Sequence, residues 1–433
     1  MVGCGAIGKT TLLYWNVIIP HITYSKITII EPLTLPFPLG ENTHHLKMGL
    51  TRENYITILG EVNPDFILDL SIGVDAIAMI NYCCEKNILY LSTAMEDWES
   101  FPDWEPERDM YQHSLLMRQR IALLNNERPS KHHPTVLIDH GMNPGLISHF
   151  TKIAIENMAR EEKITYKSHA EAAAKLGICA IQCSEIDTQI SNLSEDPNVF
   201  YNTWSSLGFI EEGLDPVQLG WGSHEKEFNP DSGVKGDEEQ RFLPVRGIDL
   251  KVKGYNPIVG DYTGFCIPHG ESASIPRYLT YQIDEKVYRP SSYYVYSPSK
   301  IAEHSINNLR NRGYKAQDYY YVLKTNDIIS GQDAVGALLI KSNGSCYWAG
   351  TIIEKSDVLS EYQNYMNPTC LQVGCGVLTG IDYVANNRQM GVVFPESVPS
   401  YRVFELCGKF LGKIQVGYVD KRLSPYFQDL VVN

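Results

Sequence analysis

Short β-branched apolar runs alternate with helix-length amphipathic stretches over the first third of the chain. Ile27-Thr28-Ile29-Ile30, Asp65 to Leu70, Asn87 to Thr93 and Thr135 to Asp139 read as short buried strands. Between them, Thr10 to Ile19, Ala76 to Lys86 and Met110 to Asn125 read as helices, and the last holds no Gly or Pro. Strand–helix alternation of this kind predicts an α/β fold, a doubly wound parallel sheet with helices on both faces. From about residue 163 the rhythm is lost, and polar stretches, Gly/Pro turns and aromatics alternate. Residues 225–255 are rich in charge, Gly and Pro and read as loop. Tyr293–Val295, Tyr319–Leu323, Gly336–Ile340 and Cys346–Gly350 suggest strands of an antiparallel or mixed sheet in a second, α+β domain. Cys370 to Asn386 reads as a helix with an apolar face that returns to the first domain. The expected division is 1–145, 146–365 and 366–433.

The chain opens Met1-Val2-Gly3-Cys4-Gly5-Ala6-Ile7-Gly8-Lys9. A G-x-G-x-x-G pattern is weak alone. Here a helix, a β-branched strand and an acid follow it, which is the order of a Rossmann-type dinucleotide-binding unit. Gly3 makes the tight turn, and Gly5 lets the backbone approach a diphosphate. Gly8 permits close helix–strand packing, the helix N-terminus faces the phosphates, and Ala6 and Ile7 between the glycines are further candidates for contact with the cofactor. Glu31 ends the next strand, 23 residues after Gly8. An acid there accepts hydrogen bonds from a ribose 2′-OH and repels a 2′-phosphate, so NAD is expected rather than NADP. Only two residues precede Gly3, whereas a strand usually has about five. The first strand is therefore expected to be clipped. In a doubly wound sheet, ligands sit outside the carboxyl ends of the strands. By that rule Ser71, Asp75, Thr93, Glu96 and Asn143 are candidates for the site.

Composition narrows the partners. The 433 residues carry 37 Lys+Arg against 51 Asp+Glu, a formal charge of −14. That balance disfavours nucleic acid, whose binding is driven by basic side chains, and suits a cationic ligand. The ten cysteines are scattered with no CxxC pair and no zinc spacing, so buried thiols of a cytoplasmic protein are expected, and no metal site. No apolar run approaches the roughly 18 residues of a membrane span, and the N-terminus lacks a basic leader.

Several blocks resemble one family. They are Gly3 to Gly8, Thr51-Arg52-Glu53-Asn54-Tyr55, Asn143-Pro144-Gly145 and Glu185-Ile186-Asp187-Thr188-Gln189. The most specific runs from Tyr201-Asn202-Thr203-Trp204-Ser205 through Gly208 to Leu214, then Leu219 to Lys226. His269 to Ile275 and Tyr288-Arg289-Pro290 complete the set. Over essentially its whole length the chain resembles the bacterial homospermidine synthases, within the wider saccharopine dehydrogenase-like group. The resemblance implies an enzyme that moves an aminobutyl group between putrescines, or between spermidine and putrescine. It implies NAD as a retained prosthetic group that takes a hydride, then returns it after the imine has been captured by the second amine. It also implies a homodimer formed through the second domain.

The resemblance and the chemistry together single out side chains. Glu96, Glu185 and Glu212 suit the ammonium groups of a dication through charge-assisted hydrogen bonds. One of them, or His269, suits a general base. Trp204 suits an ammonium or iminium ion through its indole face; without the resemblance a core tryptophan would be the plainer reading. Asn143 suits the nicotinamide carboxamide or the substrate amine. One departure stands out. The family has an acid where this chain has Gly73, and Asp75, two positions on, is the expected substitute. Two rival readings are a saccharopine- or carboxynorspermidine-type dehydrogenase, which needs basic residues for substrate carboxylates, and a non-catalytic NAD-binding protein.

Overall fold

The fold is that of a computed structural model, which describes residues 1–98 and 133–432 except 36 and 38. The helix expected over 110–125 lies outside the described residues. The first sheet is parallel throughout. Strands Thr43–Leu46 and Ile27–Ile30 pair on one side, and Phe66–Asp69, Leu89–Ser92, Val136–Leu137 and Val392–Val393 follow one another on the other. Val2 joins the two halves, bridging Ile30 on one side and Asp69 on the other. Its N–H donates to Leu68 O and its carbonyl accepts from Leu70 N–H, both at 2.8 Å. The first strand is thus present as a two-sided bridge in the middle of the sheet. Thr10, Thr11, Tyr14 and Trp15 on helix Ala6–Ile18 are buried. That helix packs against Pro368–Asn386, which also covers strand Leu89–Ser92. The C-terminal region therefore returns to the first sheet, and Val392–Val393 adds a strand to it.

The second sheet is larger and mixed. Its spine runs Pro216–Gly220, Ser291–Ser297, Ile178–Asp187, Gln332–Lys341, Ser345–Glu354 and Lys413–Arg422. Ile178–Asp187 pairs parallel with Ser291–Ser297 and antiparallel with Gln332–Lys341. Both faces of the central strands are covered, so nearly every residue in them is buried, Gln182, Ser184, Glu185 and Asp187 included. Two expectations change here. Residues 225–255 are not simply loop: Gln240–Arg246 and Lys251–Asn256 are strands. Their Lys, Arg and Gly content masked half-exposed strands, such as the one in which exposed Lys251 and Lys253 flank buried Val252. Tyr319–Val322 is a strand, but it leaves the large sheet and pairs parallel with Val199–Asn202.

Candidate active site

Both sheets contribute to one cavity of about 390 Å³. The parallel sheet supplies the segments after three strand ends: Leu70 to Ile72, Thr93 to Glu96, and Gly141 to Pro144. The glycine turn supplies Gly5, Ala6, Ile7 and Gly8. The mixed sheet supplies Glu185 and Tyr294, and the segment after Val199–Asn202 supplies Trp204. Ser205 accepts from the Gly208 N–H and so caps helix Ser206–Leu214, which carries Glu212. His269 stands just ahead of helix Glu271–Tyr278.

Glu185 lies on the buried central strand. Its Oε2 accepts from Asn143 Nδ2 at 3.0 Å and from the Tyr294 hydroxyl at 2.8 Å. Its Oε1 is buried with no hydrogen-bond partner among the described residues. Burial pushes this carboxyl up to about 7; the Tyr294 and Asn143 hydrogen bonds oppose the rise and the Asp187 carboxylate adds to it. A carboxyl near neutrality suits proton exchange with an amine.

His269 is clamped between two acids. Nε2 meets Glu212 Oε2 at 3.0 Å, Nδ1 meets Glu271 Oε1 at 3.2 Å, and the ring stacks on Tyr294 at 3.9 Å. Burial alone disfavours the charged ring, but the Glu271 and Glu212 carboxylates outweigh it and raise its pKa to about 10. His269 is therefore an imidazolium at neutral pH, which makes it an anchor for Glu212 rather than a free base.

Trp204 is half-buried. Its indole N–H donates to the Tyr296 hydroxyl at 3.1 Å, and Phe209 packs beside it at 5.4 Å. Asp187 accepts from the Thr203 hydroxyl at 2.7 Å and so secures the chain just before Trp204. Among the cavity's described lining residues there is no Lys or Arg.

The dinucleotide features occupy the positions the spacing demands. Gly3 has φ +77°, and a Cβ there would sit 2.6 Å from Leu70 O, so it forms the turn behind the cavity rather than its wall. A Cβ on Gly5 would meet nothing within 4 Å. That open space lies before a helix N-terminus with no side-chain cap and no acid in its first turn. Glu31 lines an adjoining cavity, and its carboxylate accepts from Cys4 N–H at 2.9 Å and Leu33 N–H at 3.0 Å. The residues fit a dinucleotide laid over the turn with its ribose at Glu31. Thr93 lines the main cavity, as does Ser71, whose hydroxyl is engaged by Asp69 at 2.5 Å.

Asp75 is placed elsewhere. It does not line the cavity, and its carboxylate caps helix Ala76–Lys86 by accepting from Ala78 N–H at 2.8 Å. An acid just ahead of a helix is an N-cap first, and that role holds it away from the Gly73 position. Sequence reasoning missed Tyr294, Tyr296 and Glu271. The two tyrosines alternate on one face of Ser291–Ser297, a period-two signal that was available. Glu271 follows His269 by two residues, and no pattern marked it as a partner.

A family model of the saccharopine dehydrogenase C-terminal domain matches residues 141–417. Homospermidine synthase of Mesorhizobium japonicum is 29% identical over 97% of this chain and 90% of its own length. That of Blastochloris viridis is 30% identical over 97% of this chain and 91% of its own. The crystal structure of homospermidine synthase from Legionella pneumophila in complex with NAD matches with a TM-score of 0.85 and 29% identity, over 100% of this chain and 97% of that one. On this likeness across nearly the full length, the chain belongs to the homospermidine synthase family.

Proposed function

We propose that the protein is an NAD-dependent homospermidine synthase that joins two putrescines, or putrescine and spermidine, with release of an amine fragment. Joining two putrescines releases ammonia. The observation that carries this reading is the cavity's charge: Glu96, Glu185 and Glu212 line it, and the imidazolium of His269 is spent on Glu212 and Glu271. A flexible dication neutralises such a site, whereas a substrate carboxylate finds no cation there. This counts against the saccharopine-type dehydrogenase reading.

NAD, when bound, supplies the hydride acceptor and the hydride donor. Gly5, Ala6, Ile7 and Gly8 would line its path, Glu31 would hold its ribose, and Thr93 and Asn143 would stand at the nicotinamide end. Glu185 accepts a proton from the primary amine, because its near-neutral carboxyl can exist in either form at working pH. Asn143 and Tyr294 fix one of its oxygens and leave the other for the amine. Glu212 and Glu96 hold the remaining ammonium groups. His269 holds Glu212 in place through its Nε2 contact. Trp204 offers its indole face to the cationic carbon centre, an attraction of about 0.5–2 kcal/mol that carries no negative charge to trap product. The indole edge is already tied to Tyr296.

Residues 1–145 form the cofactor domain in this reading, 146–365 the substrate and dimerisation domain, and 366–433 the returning segment. The start of the family match at 141 supports the first boundary. No described helix is long and apolar enough to cross a membrane, and a cytoplasmic homodimer is proposed. Calorimetric titration of the NAD-loaded protein tests the substrate class. Putrescine binds and an amino acid bearing two carboxylates does not; the reverse order would sink the proposal.

A further inference from the structure

Beside the main cavity lies a second one of about 270 Å³. Gly5, Ala6, Leu33 and Val322 line both. The second cavity is therefore continuous with the space in front of the helix N-terminus. Glu31 lines it, with both carboxylate oxygens already engaged by backbone N–H groups. Two lysines line it as well. Lys9 comes from the helix after the glycine turn, and Lys324 from the segment after strand Tyr319–Val322.

These lysines differ from three others in the chain. Lys175, Lys341 and Lys421 each meet a carboxylate. Among the described residues, neither Lys9 nor Lys324 forms an ion pair. Burial lowers the pKa of Lys9, and the Lys324 ammonium acts in the same direction, so the two charges feel each other. Two unpaired ammonium groups turned to one cavity repel, and an anion between them relieves the repulsion. The uncapped helix N-terminus at the junction of the cavities favours the same sign of ligand.

We propose that Lys324, acting with Lys9, holds the diphosphate of the dinucleotide, so that the cofactor is gripped from both sides of the molecule. This rests on the reading that the protein binds NAD. It has a structural consequence for the amine site. Tyr319–Val322 pairs in parallel with Val199–Asn202, and the Leu323 N–H donates to Asn202 O at 2.9 Å. Trp204 follows two residues later. The strand that brings Lys324 to the cofactor is thus bonded to the strand that positions the indole.

The test is binding of NAD and NADP by calorimetry at two salt concentrations, with release measured by stopped-flow fluorescence. Lys324 is exposed, so Lys324→Ala leaves the core intact. The expected result is NAD affinity about tenfold weaker for Lys324→Ala, faster release, and a shallower salt dependence. Lys324→Arg retains most of the affinity. If wild type binds NAD and Lys324→Ala matches it within about twofold with unchanged release, the clamp is refuted. A loss confined to NADP also refutes it, because the lysines would then read a 2′-phosphate. Failure of wild type to bind NAD at all would instead overturn the cofactor reading beneath it.

Discussion

Replacing Glu185 by Gln separates the chemistry of the site from its cost to the fold. The Glu185 carboxyl moves from 4.5 in the open chain to about 7 in the folded protein, chiefly through burial. The unfolded chain therefore loses this proton first as pH rises. Stability falls across the window from 4.5 to about 7 and stays at the lower level above it. At 1.36 kcal/mol per unit, the full loss is about 3 kcal/mol, and the neighbouring Asp187 makes that an upper figure. Gln keeps the carbonyl oxygen that receives the Asn143 and Tyr294 hydrogen bonds, and puts its amide where Oε1 has no partner. Glu185→Gln should therefore match wild type near pH 4.5. Above pH 7 it should be more stable by roughly 2–3 kcal/mol, which is several degrees in Tm. Putrescine turnover should fall by about two orders of magnitude or more. Thermal unfolding of both proteins at pH 5 and pH 8, without amine, measures the difference. An equal difference at both pH values, or a variant less stable at pH 8, would refute the reasoning.

Trp204→Ala should greatly reduce turnover while NAD binding is kept, and Trp204→Phe should restore part of it, because a phenyl face still attracts a cation; steady-state kinetics with a parallel NAD titration reads both. His269 loses stability with rising pH as Glu185 does, but in a higher window: its folded pKa of about 10 lies above its ordinary 6.5. Its contribution to stability is thus complete below pH 6.5 and disappears as pH rises to about 10, and denaturant unfolding of His269→Gln should lack that decline. Asp75→Ala should cost about 0.5–2 kcal/mol of stability by loss of the helix cap, with KM for putrescine unchanged; a raised KM would return Asp75 to the amine site.

The parts of the fold that were legible are those ruled by local physics. A glycine turn, a β-branched strand and a terminal acid have one common arrangement, and Gly3, Gly5, Gly8 and Glu31 adopt it. The short parallel strands were visible because burial on both faces makes them mostly apolar. The strands at 240–256 were hidden, because a half-exposed strand with Lys, Arg and Gly looks like a loop. The parallel partnership of Ile178–Asp187 with Ser291–Ser297 was hidden for another reason: strand pairing across a hundred residues leaves no local mark. The same limit applied to the site. Glu185, Glu212, His269 and Trp204 could be picked out by type and resemblance, and they do share a cavity. That Tyr294 would both bond Glu185 and stack on His269 depends on two strands and a loop meeting. Asp75 shows the converse error, in which a plausible charge was read for chemistry while its local role as a cap took precedence.

In the proposed reaction an amine is oxidised and the product re-reduced on one enzyme with no net redox change. Mass spectrometry of products from putrescine with substoichiometric NAD tests this directly. Homospermidine and ammonia in many-fold excess over NAD are expected, with no accumulation of NADH. One equivalent of NADH formed per turnover, with an aldehyde or cyclic imine as the end product, would contradict it.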